Sequence, residues 1–412
     1  MRQLPTTIAL AVITATTLSP LTAAAQAPAC THTAGMVVSL TGAAGRFGQA
    51  AAKSVELAFA ELNKAAGAQG IAGCKLGFDL RDAQSQGSVA VDQARQLVDL
   101  KKVPAIIGGI ISSVSIPIIT SVTGPAGVVQ ISPASTSPTL TRLGNEGKTG
   151  GWFFRTITSD ALQGTAAAKY AIDQGMTQLA IIHVNNDFGV NMLAEFRRAY
   201  EALGGKIAGI TPYNPAQPSY AAEVTNALKG EAPALYFIGY PGDGTTIVRT
   251  WVQQGGPQRF LLNDGMNAAD FIKGVGPQFL ANAFGTSSGT SKSPSTEFFA
   301  QAYPAMSGGF DAGAPAADRA FDAAAIRDSI RKVTEPGGEV VHAGPQGFAR
   351  ALQLIREKKP LRYVGVIGAV QFDKNGDIVG PFRTWRITNG EVVTVGQMAM
   401  EEVQAVQARL PK

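Results

Sequence analysis

Short, continuously apolar runs recur along the chain, separated by amphipathic stretches. GMVVSL (35–40), LGFDL (76–80), VPAIIGG (103–109) and GVVQIS (127–132) form one series. LAIIHV (179–184), KIAGIT (206–211), ALYFIGY (234–240) and RFLLND (259–264) form a second. Runs of this length bounded by Gly or Pro predict buried parallel strands. Between them Phe47, Ala51, Val55, Ala58, Phe59 and Leu62 fall at spacings of three and four, as do Val91, Ala94, Leu97 and Val98. Leu193, Phe196 and Leu203 continue the theme, so the intervening stretches predict helices. Alternating strands and helices predict doubly wound α/β sheets. The first series ends near GWFFRT (151–156), and a new one starts with the helical stretch 159–175. Later segments 293–306, 315–333 and 344–358 read as helices, and the C-terminal part as short strands with Asn-Gly turns at 375–376 and 389–390.

Length fits this picture, because 412 residues exceed what one compact core holds and suit two domains. Charged residues are only 16%, which argues against long charged tails. The net charge of +5 does not predict a nucleic-acid partner. Arg81, Arg95, Arg142 and Arg155 are scattered among acids, and only short pairs such as Lys101-Lys102 and Lys358-Lys359 occur, with no basic stripe. The N-terminus carries one early Arg, an apolar Thr-rich stretch broken by Pro20, then AAAQA. This is the pattern of a secretory leader cleaved at Ala25 or Ala27, taken here as residues 1–27. Cys30 and Cys74 are the only cysteines, and each just precedes one of the first two strands. In an exported chain that predicts a disulfide, with lipidation of Cys30 as the other reading.

Ligands of such sheets bind where strand ends lead into helices. Catalytic signatures are missing there: no G-x-S-x-G elbow, P-loop lysine or G-x-G-x-x-G follows a strand. His32, His183 and His342 lie far apart, so no enzyme activity, cofactor or metal is expected. DKNGD (373–377) resembles the start of a calcium loop but lacks the later glutamate, and is expected to be a hairpin turn. GGIISSVS (108–115) places Ser112 and Ser113 at a helix start, where free N–H groups attract anions. No Lys or Arg is near, which favours a carboxylate over a phosphate. SPASTSPTLT (132–141) brings Ala134, Ser135 and Thr136 to the neighbouring strand end; helix capping is the plainer alternative. Asp264 in LLNDGMN follows another strand and either accepts a ligand ammonium or caps a helix. Phe47, Phe188 and Tyr240 offer apolar walls or core packing.

These loops, together with FFRTITSDALQG, NNDFGVNMLAEFRRAYEALGGKI and FDKNGDIVGPF, resemble the type I periplasmic binding proteins of ABC importers, in the leucine/isoleucine/valine-binding branch. The similar stretches span about residues 35–385. The resemblance implies two Rossmann-like lobes with mostly parallel sheets, joined by three crossovers near Arg155, Gly285 and Gly380. Lobe 1 would comprise 28–155 and 286–379, and lobe 2 would comprise 156–285 and 380–412. It further implies a carboxylate held by Ser112, Ala134 and Thr136, with Ser135 between, walls from Phe47, Phe188 and Tyr240, and an ammonium at Asp264. The expected protein is a periplasmic monomer that gives a small solute, such as a branched-chain or other apolar amino acid, to an inner-membrane permease. Phe47 and Phe188 lack a tyrosine hydroxyl, and Asp264 is a methylene shorter than glutamate. An aromatic carboxylate or amide-type solute is therefore the alternative, and a secreted ligand sensor a further one.

Overall fold

The computed structural model describes residues 30–71, 73–290, 292–307, 323–334 and 336–410. The expected leader, 1–27, and part of the helix expected over 315–333 lie outside the described residues. Five parallel strands form the first sheet: β1 (Thr31–Val38), β2 (Lys75–Asp82), β3 (Ala105–Gly108), β4 (Val129–Ser132) and β5 (Phe153–Arg155), in the order β2-β1-β3-β4-β5. Central β3 and β4 are buried at every residue, which is why they read as unbroken apolar runs. The second sheet holds β6 (Gln178–Val184), β7 (Lys206–Tyr213), β8 (Leu235–Ile238), β9 (Phe260–Leu262) and β10 (Ala283–Ser288), again parallel, in the order β10-β9-β8-β6-β7. The helices Gly45–Ala66, Gly87–Arg95, Asp160–Asp173 and Asp187–Ala202 bear the apolar stripes expected of them.

After β10 a small sheet forms from β11 (Glu339–His342), β12 (Leu361–Gly365) and β13 (Gly368–Ala369). The apolar pattern does not announce it, because in β11 only Val341 is fully buried. The helices Pro294–Ser307 and Pro345–Arg356 pack on Gly45–Ala66, so this segment belongs with the first sheet. The chain then returns to the second sheet as the antiparallel pair β14 (Phe382–Thr388) and β15 (Glu391–Met398). Their hairpin turns at Asn389-Gly390, both at positive φ (52° and 81°), as a two-residue turn matched to strand twist requires. Cys30 and Cys74 form the disulfide, Cα atoms 4.8 Å apart, at the start of the β1–β2 pair.

The chain passes between the two large sheets three times: after β5, after β10 and before β14. These segments lie side by side. Thr158 bridges Ile378, the Gly289 N–H donates to Pro381 O at 2.7 Å, and the Thr158 and Ser288 hydroxyls are 2.5 Å apart. At their base Arg155 is wholly buried. Its Nε donates to Asp377 Oδ1 (2.7 Å), Nη1 to the carbonyls of Ser135 and Ser137 (3.1 Å each), and Nη2 to Thr141 Oγ1 (2.8 Å). Thr141 in turn donates to Asp377 Oδ2 at 2.5 Å. The DKNGD stretch is a turn but not a hairpin; it lies against β5 instead of joining two paired strands. Asp373 accepts the N–H groups of Asn375 and Asp377, and Gly376 O accepts from the Arg155 N–H at 2.9 Å. Gly376 sits at φ 79°, and a side chain there would meet Phe153 O at 2.0 Å, so only glycine fits.

Removing Asp377 leaves the Arg155 charge buried without its counter-ion. Asp377→Ala is expected to lower stability by about 3–5 kcal/mol, read from urea unfolding followed by circular dichroism. A loss below about 1 kcal/mol, the range of an exposed pair, would show that the pair is dispensable.

Candidate functional site

The carboxyl ends of the strands of both sheets open onto one cavity of about 250 Å³. Phe47, Ser112, Ala134 and Thr136 line it from the first sheet, and Phe188, Tyr240 and Asp264 from the second. Thr156–Thr158, Ser287–Thr290 and Ile378–Gly380 of the crossing segments also line it. The two sides also touch outside the lining. Arg46 Nη1 pairs with Asp270 Oδ2 at 2.5 Å, and a side chain at Gly242 would meet Ala43 O at 3.1 Å.

On the first side most serine hydroxyls serve the backbone. Gly109 O accepts from Ser132 Oγ (2.7 Å) and lies within reach of Ser115 Oγ (3.2 Å) and Ser135 Oγ (3.3 Å), one of which instead donates to the other across 2.7 Å. Ser135 is thus fully buried and faces inward, and Ser113 is half-buried on the helix Ser112–Ile118; neither lines the cavity. Gly109 lets the helix Ser112–Ile118 pack closely on this strand end, since a side chain there would meet Val114 Cγ1 at 2.4 Å. Two hydroxyls remain at the cavity with opposite polarity. Ser112 Oγ accepts the Ser137 N–H at 3.1 Å, which leaves its own proton to donate. Thr136 Oγ1 donates to Asp160 Oδ2 at 2.6 Å, which leaves it lone pairs to accept.

On the second side Asn186 caps the helix Asp187–Ala202, accepting the Phe188 and Gly189 N–H groups at 3.1 Å each. Its amide donates to Tyr240 Oη at 3.2 Å, and Phe188 stacks on Tyr240 with ring centres 5.6 Å apart. Asn263 accepts from the Gly239 N–H (3.0 Å) and donates to Gly239 O and to Asp264 Oδ1 (3.2 Å each). Asp264 Oδ1 also takes the Gly265 N–H at 2.9 Å, so Oδ2 is the oxygen left for a ligand. Asp264 opens a short turn, Asp264–Met266, while the following helix starts at Ala269 with Ala268 before it. Burial raises its pKa against the lowering effect of the Asn263 amide, the Gly265 N–H and the Gln163 side chain beside it. Asp243 of GYPGDG turns away, accepting from Tyr220 Oη at 2.7 Å.

Asp160 had not been singled out by its sequence. It starts the helix Asp160–Asp173 behind Ser159, whose Oγ accepts the Ala161 N–H, so SDALQG reads as an ordinary helix entrance. It is wholly buried, and its carboxyl is held well above the usual range by burial and then by the Asp264 charge, with Thr136 and Arg155 opposing. Among the described residues no cluster of three His, Cys, Asp or Glu can hold a metal ion, and no helix is long and apolar enough to cross a membrane.

A cavity enclosed between two parallel sheets, lined by apolar walls and a few oriented polar groups, is the site of a small-solute binder. The chain belongs to the periplasmic binding protein family, whose profile matches residues 31–390. It is 24% identical over 363 residues to a Leu/Ile/Val-binding protein homolog 3 of Brucella melitensis, covering 88% of this chain and 92% of that protein. The leucine-binding protein LivK of Thermotoga maritima superposes with a TM-score of 0.71 at 21% identity, covering 90% of this chain and 99% of its own. A solute-binding protein of R. palustris in complex with benzoate gives a TM-score of 0.69 at 15% identity, with 90% and 96% covered. These two structures establish the shared fold.

Because the Asp160 carboxyl titrates higher in the fold than in the unfolded chain, its contribution to stability is present below the ordinary aspartate value and is lost as pH rises through the raised one. Melting curves between about pH 4 and 8 are expected to show wild type losing ground to Asp160→Asn as pH rises. Parallel curves across that window would overturn the assignment.

Proposed function

We propose that this protein is the periplasmic solute-binding subunit of an ABC importer, that it takes an α-amino acid with an apolar side chain, and that it delivers it to an inner-membrane permease. The observation that carries this reading is the opposite polarity of two hydroxyls in one cavity. Ser112 can donate, which suits a carboxylate, and Thr136 can accept, as can Asp264 in the same lining, which suits an ammonium group. Ala134 also lines the cavity, and Phe47, Phe188 and Tyr240 wall the side chain. The lobes, 28–155 with 286–379 and 156–285 with 380–412, close about the three crossing segments as a hinge. The leader 1–27 directs export, and the protein works as a monomer without cofactor. The relatives named for leucine, isoleucine and valine support this solute class.

An aromatic carboxylate is the second reading, favoured by the benzoate complex of the R. palustris protein and by phenylalanine at both 47 and 188. Thermal unfolding with leucine or benzoate separates the two, since a ligand at 100 times its Kd adds about 2.7 kcal/mol of stability. Stabilisation by leucine is expected, and Ser112→Ala and Asp264→Ala are each expected to weaken its binding by about 2–5 kcal/mol with the fold intact. Stabilisation by benzoate and by no amino acid would replace the first reading with the second.

A further inference from the structure

Nothing in the cavity lining accounts for the polarity of Thr136; that comes from behind it. Thr136 is tied to Asp160 twice, through its hydroxyl at 2.6 Å and through its carbonyl, which accepts the Asp160 N–H at 2.9 Å. Asp160 Oδ1 is buried without a hydrogen-bond partner. So are Tyr236 Oη and both polar atoms of the Gln163 amide, which approaches Asp264 but makes no hydrogen bond of ordinary geometry. Burial, and then the charges of Asp160 and Asp264, hold the Tyr236 hydroxyl protonated, so it lies within electrostatic reach of both carboxyl groups. The cation near Asp160 is Arg155, and its donors are committed to Asp377, Ser135, Ser137 and Thr141. Among the described residues no cation is hydrogen-bonded to Asp160 or Asp264, and the Asp264 charge opposes ionisation of Asp160 until a positive group arrives.

We infer that Asp160 is a positioning residue for specificity: it fixes the Thr136 hydroxyl as an acceptor and, with Asp264, selects a ligand that carries an ammonium group over the same acid without one. The inference rests on the amino-acid reading above and adds to it the residue that enforces the choice. When the carboxyl is ionised, Thr136 must donate to it and its oxygen accepts from the ligand. When the carboxyl is protonated, it can donate to Thr136, and the threonine proton is released toward the cavity. An incoming ammonium group favours the first arrangement, so its binding expels a proton. The titratable and charged groups facing Asp160 are Asp264, Glu195 and Arg155, with the Tyr236 and Tyr240 hydroxyls held protonated by burial.

The test compares leucine with 4-methylpentanoate, which is leucine without its amino group, by calorimetry in buffers of different ionisation enthalpy. In wild type leucine binding is expected to release a proton, and 4-methylpentanoate binding is not. Asp160→Asn is expected to abolish the release and to lower the affinity ratio of leucine to 4-methylpentanoate by about tenfold, equivalent to about 1.4 kcal/mol. Thr136→Val should lower the ratio similarly, and the double variant should lose little more than Thr136→Val alone. Equal weakening of both ligands by Asp160→Asn, or additive losses in the double variant, would overturn the inference while leaving the amino-acid reading intact. A wild type that binds benzoate and neither leucine nor another amino acid would overturn both.

Discussion

The buried ion pair between Arg155 and Asp377 is the constraint on which the site depends. Arg155 ends the last strand of the first sheet, and its guanidinium reaches both the third crossing segment and the loop that follows β4. A buried guanidinium needs acceptors for its donors, and a carboxylate with three further oxygens takes four of the five N–H groups here. Replacing such a pair by apolar residues is often neutral for stability, so its value is better sought in geometry. Ser135 and Ser137 are held by their carbonyls, and Thr136 lies between them. The third crossing segment and the loop that follows β4 are thus tied by one side chain, and the same charge acts on Asp160.

A loop rich in hydroxyls is not by itself a site for anions. In the stretch 109–137 Ser115, Ser132 and Ser135 all turn toward Gly109 O. They neutralise a buried carbonyl that would otherwise carry a large desolvation cost. What reaches the cavity is decided by counting protons: Ser112 accepts from backbone and keeps a donor, whereas Thr136 gives its proton to Asp160 and keeps an acceptor. A carboxylate clamp assembled from every hydroxyl in these loops would misjudge this chemistry, because three of the serines never face a ligand.

The large sheets were legible in the sequence because parallel strands buried on both faces leave unbroken apolar runs; β3 and β4 show this residue by residue. The strands β11 and β12 were not legible, since a half-exposed strand beside long helices leaves no such run. Within the site, residues at strand ends were found from their place in the alternation: Ser112, Ala134, Thr136, Phe188, Tyr240 and Asp264 all line the cavity. Ser113 and Ser135 share those loops yet point elsewhere, because loop membership does not fix side-chain direction. Asp160 and Asn263 escaped notice for the opposite reason. Each occupies a position where an acid or amide is ordinary, and only the fold brings it against a partner far along the chain.

Under the proposed closure, distance from the hinge determines which contacts the ligand must create. Arg46 and Asp270 join the two sides through a salt bridge, a contact that exists only once those sides have met. Thr136 and Asp160 meet beside the crossing segments, although they precede and follow the first of them. Rotation about those segments moves this contact little, so the Thr136 oxygen keeps its position before and after closure. The ligand need only shift a proton on the Thr136–Asp160 pair and does not bear the cost of ordering the side chains. Asp264, carried by the second sheet, is what the moving side brings to the ammonium group. A solute without that charge would satisfy Ser112 yet leave the Asp264 and Asp160 carboxyl groups without a positive group beside them. Both belong to the second side, so closure leaves their separation unchanged but shuts out the water that screens them, and under this proposal the site would resist shutting on a plain acid.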